Sequence, residues 1–273
     1  TQVVDPIIDG CKLDDKPVLT FTGVAEPGSV PFEYAMNPAN NINRGSQQTS
    51  FITFYTGWPS NLTIRYNANT DKNELIDYPS NMEELGTKYT MANYPYITQE
   101  CENAASKAYA NYKSGAPMSQ DEKDIIGAAL NVRIPAGVES VKEGLFSGKT
   151  SDGTEIGIPN TSIETITLDG CSSITPYMFS GCTNLIGAYI GEKTQVLGDY
   201  AFEGCAKLAD VDVASGLNTY GIRPFKGCKI LQEVSFIDNP NFTCKDAIVY
   251  ATVNGEKTKL LEVLESRGVS YGT

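Results

Sequence analysis

The chain has 273 residues, 41% of them hydrophobic, with 15 tyrosines and 10 phenylalanines, enough for packed cores in two domains of ordinary size. Its 21 basic and 33 acidic residues leave a net charge of −12, which argues against nucleic acid or anionic lipid as the partner, because phosphate binding needs clustered Lys and Arg. There is no histidine, which removes Ser-His-Asp and Cys-His catalysis, His-ligated zinc and the usual general base near neutral pH.

Residues 1–16 have no clear apolar period and read as a tether. Thr1 to Asp15 lack the basic and apolar regions of a signal peptide, so an exported protein would carry its signal or anchor outside this sequence. No apolar run approaches the roughly 20 residues of a membrane span. Residues 17–97 read as a small β-rich module. Strands are expected over Val18–Thr22, Phe51–Tyr55 and Leu62–Tyr66, the last alternating apolar and polar residues. Turn signals separate them at Pro27-Gly28, Asn40-Asn41, Gly57-Trp58-Pro59 and Pro79-Ser80.

Residues 98–130 contain two helix candidates. Cys101, Ala104, Ala108 and Tyr112 fall on one helical face, ended by Gly115 and Pro117. Ser119 and Glu122 form a capping box that opens a second helix through Ile125, Ile126 and Leu130.

From 131 onwards a repeat organises the chain. Of the seven cysteines, at 11, 101, 171, 182, 205, 228 and 244, three are spaced 23 residues apart. Each of Cys182, Cys205 and Cys228 ends a Phe-x-Gly-Cys segment begun by Phe179, Phe202 or Phe225, and Leu185, Leu208 or Leu231 follows three residues later. Phe146 and Gly148 form a degraded copy without the cysteine. After the leucines, Ala188 and Ile190 match Val211 and Val213, then Val234 and Phe236; Ile163, Ile166 and Leu168 supply the same set one unit earlier. Five residues before each Phe stands Val141, Ile174, Leu197 or Tyr220. Phe146 and Phe179 are 33 apart, implying an insertion of about ten residues around Gly148–Gly157. Burying four or five apolar side chains in one unit gains roughly 6–15 kcal/mol. Ordering its backbone costs more, at roughly 1–2 kcal/mol per residue. A unit alone therefore cannot fold, and stacking units into a solenoid with a parallel sheet removes the deficit.

The run Val196–Cys205, with Ile134-Pro135 to Val138 and Ile158-Pro159-Asn160 read as turns after strands, resembles the BspA-like (Treponema pallidum type) leucine-rich repeats of bacterial surface proteins. Asn239-Pro240-Asn241-Phe242 followed by Ile248-Val249-Tyr250 resembles that family's terminal unit, where Asn254-Gly255 suits a two-residue hairpin turn. The resemblance covers residues 131–265. It departs from the pattern at Phe146, at Tyr220 and at Pro224, which stands in place of Ala. It implies an extracellular or cell-surface binding or adhesion role rather than catalysis.

The expected fold class is therefore α+β: a leucine-rich-repeat solenoid over 131–273, preceded by the β-rich module and by a helical pair that caps its N-terminal rung. A C-terminal hairpin carrying Leu260, Leu261, Val263 and Leu264 would cover the other end. Cys182, Cys205 and Cys228 read as small buried residues with free thiols, since in-register stacking sets their Cβ atoms side by side rather than facing. A disulfide among Cys11, Cys101 and Cys171 stays open.

The candidate binding residues are the strand positions that point away from the core: Arg133, Thr167, Tyr189, Asp212 and Ser235. Trp58 is a candidate for stacking on a sugar ring, with a half-buried core position as the other reading. The acidic clusters Asp14-Asp15, Glu83-Glu84 and Asp121-Glu122-Lys123-Asp124 lack calcium-loop spacing and read as solvated charge. Adjacent Glu83 and Glu84 on a strand would point to opposite faces and could not converge on one glycosidic bond. Asn61, Asn160 and Asn241 each begin a glycosylation sequon, without meaning in a bacterial product. No catalytic residue, metal site or cofactor is assigned. The expectation is a monomeric, non-enzymatic secreted or surface protein that binds a host or bacterial surface protein or a glycan. The alternatives are a carbohydrate-binding or glycan-processing N-terminal module with the solenoid as accessory scaffold, and a purely mechanical spacer.

Overall fold

The computed structural model describes residues 20–24, 53–55, 62–67, 70, 72–78 and 99–267. The tether, the four turn signals of the N-terminal module, Cys11, Trp58, Asn61, Asp14-Asp15 and Glu83-Glu84 lie outside the described residues. The described residues form two compact units, the first holding those up to Ala128 together with Gly137–Lys142, the second Ala129–Ala136 and those from Glu143.

In the first unit, β1 (Thr20–Val24), β2 (Thr53–Tyr55) and β3 (Thr63–Asn67) lie where strands are expected, within two residues at each end. A further strand, β4 (Lys72–Asp77), is not expected from its polar and acidic composition, yet its Asn73 and Leu75 are buried in alternation. α1 (Gln99–Ser114) ends at Gly115, whose φ of +70° closes the helix in a conformation that only glycine adopts at little cost. Its buried stripe is Ala105 and Ala108; Tyr112 is exposed, so the apolar face is rotated from the one expected. α2 (Gln120–Leu130) begins with the expected capping box. The Glu122 amide donates to Ser119 Oγ at 3.2 Å and the Ser119 amide to Glu122 Oε2 at 2.8 Å.

After β5 (Asn131–Ile134) in the second unit, the chain returns to the first for β6 (Ser140–Val141). The first sheet has the order β1-β2-β3-β4-β6, with β6 parallel to β4 in the register Leu75↔Val141. Asn73 joins these two strands. Its carbonyl accepts from the Glu139 amide at 2.9 Å and its side-chain amide donates to the Gly137 carbonyl at 3.2 Å.

The second unit is the solenoid. Its rungs carry β7 (Thr165–Leu168), β8 (Ser173–Ile174), β9 (Gly187–Ile190), β10 (Val196–Leu197), β11 (Asp210–Val213), β12 (Thr219–Tyr220) and β13 (Ser235–Phe236). The strands β13-β11-β9-β7-β5 form one parallel sheet and β12-β10-β8 another. Ile166, Ala188 and Val211, and Leu168, Ile190 and Val213, stand in register and are buried.

The side that carries Phe-x-Gly-Cys is stacked as regularly. Phe146, Phe179, Phe202 and Phe225 are buried, with successive ring centroids 4.9, 5.1 and 5.5 Å apart. Backbone hydrogen bonds run between rungs here too: the Phe179 amide donates to the Ala201 carbonyl and the Phe202 amide to the Pro224 carbonyl, both at 2.8 Å. This column needs only the carbonyl of residue 224, so proline replaces alanine there without a lost bond. Gly227 has φ +80°, and a Cβ on it would lie 3.1 Å from the Gly204 nitrogen, so both backbone conformation and rung spacing require glycine.

The insertion is a small hairpin. Lys149 bridges Glu155, and the amides of Ile156 and Gly157 return to the Gly148 carbonyl at 2.7 and 3.0 Å, so the chain re-enters its rung where it left. Ile158-Pro159 does not follow a strand as expected. It lies upstream of β7 with Ile158 83% exposed, and Pro159 fills the space above Gly181.

At the C-terminal end, β14 (Phe242–Lys245), β15 (Ile248–Val253) and β16 (Glu256–Val263) form an antiparallel sheet. Asn254 and Gly255, both at positive φ, make the expected tight turn. Asn239 closes the last rung. Its side-chain oxygen accepts from the amides of Asn241 and Phe242, and its side-chain amide reaches the carbonyls of Ala214 and Leu217. The expected apolar cap is altered. Leu264 is buried, but Leu260 is 52% exposed and Glu262 is buried. A bulge between Val249↔Glu262 and Tyr250↔Leu260 shifts the alternation of β16 and turns the carboxylate inward.

Candidate binding face

The five strand positions singled out from the sequence form one row. Arg133 pairs in register with Thr167, Thr167 with Tyr189, Tyr189 with Asp212 and Asp212 with Ser235. The row follows from period two: residues 132 and 134 of β5 are buried while 131 and 133 are exposed, and each later rung repeats that alternation. Strand spacing of about 4.8 Å holds adjacent side chains within contact range.

A second row, missed in the sequence reading, runs beside it: Asn131, Thr165, Gly187 and Asp210. The 23-residue spacing from Gly187 to Asp210 was there to find it. The rungs differ in how these side chains are satisfied. On the first rungs the side chains satisfy each other. Arg133 Nε lies 2.6 Å from Asp169 Oδ2, and Thr165 Oγ1 donates to Asn131 Oδ1 at 2.8 Å. On the later rungs, Tyr189, Asp210 and Asp212 are exposed, and no side-chain hydrogen bond or ion pair holds them among the described residues.

Among the described residues no group of three Cys, Asp or Glu side chains is placed to hold a metal ion. The three ladder cysteines are buried thiols. Cys182, Cys205 and Cys228 donate to the carbonyls of Phe146, Phe179 and Phe202, each one rung back, at 3.7, 3.2 and 3.2 Å. Burial pushes the Cys182 thiol up to about 12 and the Cys205 thiol well above its ordinary value, so both are poor nucleophiles and metal ligands. Cys101 and Cys171 are present as thiols.

Glu122 is not the solvated charge expected of its cluster. It is buried and accepts from Lys107 Nζ at 2.9 Å and Asn111 Nδ2 at 3.1 Å as well as from the Ser119 amide. These donors, Lys107 foremost, hold its carboxyl down to about 2. Two sequons are occupied structurally: Asn160 Oδ1 accepts from the amides of Ser162 and Ile163, and Asn241 Nδ2 donates to the Leu217 carbonyl.

A ladder on the opposite side, Tyr177 stacked on Tyr200 at 5.3 Å, is closed at both ends by Lys149 and Lys226 over the ring faces, with Glu203 between the two ammonium groups. Its ring faces are occupied, so it braces rungs rather than presenting a platform.

Residues 128–252 match the BspA type leucine rich repeat region, in six copies. The segment therefore consists of BspA-type leucine-rich repeats. A crystal structure of a leucine-rich repeat protein from Bacteroides ovatus is similar at 16% identity, over 38% of this chain and 36% of that chain, with a TM-score of 0.26. No curated protein matches the sequence.

Proposed function

We propose that this BspA-type repeat region is the working part of a secreted or surface-displayed, non-enzymatic protein, and that the outer face of its larger sheet binds a protein or glycan of a host or bacterial surface. The observation that carries the reading is the in-register row from Arg133 to Ser235, whose later members are exposed and unengaged by other side chains. A rigid stack fixes the spacing of such a row, so a partner meets a preorganised surface and little ordering is lost on binding. In the same reading residues 17–97 are a spacer between the solenoid and whatever bears it. No helix among the described residues is long and apolar enough to cross a membrane.

The test is binding of the full chain to printed glycans and to a panel of purified extracellular matrix proteins, with Y189A/D212A as the comparison. Loss of the wild-type signals in the double variant, with an unchanged circular dichroism spectrum and melting temperature, supports the reading; undiminished binding refutes it. If glycan binding persists there but disappears on substituting Trp58, the N-terminal module is the carbohydrate-binding part.

A further inference from the structure

Resting on that reading, we infer that the face takes a protein partner through basic side chains: an extended segment with arginine or lysine at alternate positions, laid over β9 and β11. Three observations converge on this occupant.

The first is charge. Rungs β9, β11 and β13 present Gly187, Tyr189, Asp210, Asp212 and Ser235 outward, with two carboxylates and no basic residue. The only basic side chain of the face, Arg133, lies at its far end and is already paired with Asp169. Attraction for a cation is therefore confined to one part of the sheet. The second is spacing. Asp210 and Asp212 are two residues apart on one strand, about 6.7 Å along it. Alternate side chains of an extended peptide have the same repeat, so two cations on such a peptide meet both carboxylates at once. The third is shape. Tyr189 is 38% exposed and sits directly beside Asp212 in register. Gly187, on the same strand and the same face, leaves room along the ring. A Cβ there would meet Thr165 Cγ2 only at 3.7 Å, and Gly187 has no positive φ, so nothing in the fold demands glycine. A guanidinium can slide into this recess, lie over the tyrosine ring and reach the Asp212 carboxylate together.

The experiment is a titration of the full-length protein, amide-labelled for NMR, with a capped pentapeptide carrying arginine at its second and fourth positions and serine or threonine elsewhere. The peptide with glutamate in place of arginine is the control. Shifts should concentrate on Gly187–Ile190 and Asp210–Val213, and binding should fall with salt as screening shortens. D210N/D212N should weaken it by about tenfold, as expected for two exposed charge pairs. G187V should block the recess and weaken binding while leaving the fold intact. E155Q/E192Q, which removes two charges elsewhere, should leave it unchanged. Equal weakening by E155Q/E192Q, or shifts spread over the whole surface, would mean the peptide is held by net charge alone and would overturn the inference. If the peptide fails but a printed glycan moves the Tyr189 and Asp212 signals, the basic partner is wrong and the binding face stands. If neither ligand moves them, both claims fall.

Discussion

Replacing Glu262 by glutamine tests whether a carboxyl is buried against the last rung. Burial raises this carboxyl from 4.5 to about 7, against the opposing pull of the Tyr220 hydroxyl, which donates to Glu262 Oε2 at 2.7 Å, and of nearby Arg223; Glu265 adds to the rise. Between pH 4.5 and 7 the folded protein therefore binds more protons at this site than the unfolded chain does. Stability must then fall as the pH rises through that window and level off above it. A shift of that size corresponds to about 3 kcal/mol at 1.36 kcal/mol per unit. The absence of histidine makes the window unusually clean, because few other side chains titrate there. The assay is the urea midpoint by far-UV circular dichroism at half-unit steps from pH 4.5 to 8.5. Wild-type stability should decline by about 3 kcal/mol across the series. E262Q should be nearly flat and the more stable of the two above pH 7, by that amount less roughly 1 kcal/mol for a weakened bond to Tyr220. A flat wild-type curve, or equal slopes in the two proteins, would refute the argument.

Phe202→Ala removes a ring stacked on both sides and should cost about 3–5 kcal/mol in a urea titration. Iodoacetamide at pH 8 should label Cys101 in the native protein ahead of Cys244, whose thiol burial pushes up, whereas the buried Cys182, Cys205 and Cys228 should react only at the unfolding rate, as read by peptide mass mapping. Ser119→Ala should cost about 1 kcal/mol and fray the first turn of α2, measured by hydrogen exchange at Glu122 and Lys123. In acid, the capping box should hold until the pH drops below 4.5 and fail as Glu122 protonates near pH 2, because its folded value lies below its unfolded one.

Much of the solenoid was legible in the residues because it is written in their spacing. A phenylalanine and a cysteine every 23 residues can all be buried only if equivalent positions stack, and the outward row from Arg133 to Ser235 follows from the same count with period two. The capping box at Ser119 and the turn at Asn254-Gly255 were equally readable, since each is decided by the conformational preferences of a few neighbouring residues. Tertiary structure decided what depends on partners distant in the chain. β4 pairs with β3 beside it in the chain, but it becomes an inner strand because Leu75 and Asn73 also find Val141 and Gly137 more than sixty residues away, which its own polar composition does not announce. Glu262 faces inward because a bulge against Val249 reverses an alternation that would have buried Leu260. Arg133 pairs with Asp169 while Asp210 and Asp212 stay exposed without a side-chain partner among the described residues, a division set by which rung lies beside which. Local spacing encodes the column; the bulge, the pairing and the polarity of the face arise only once the columns are brought together.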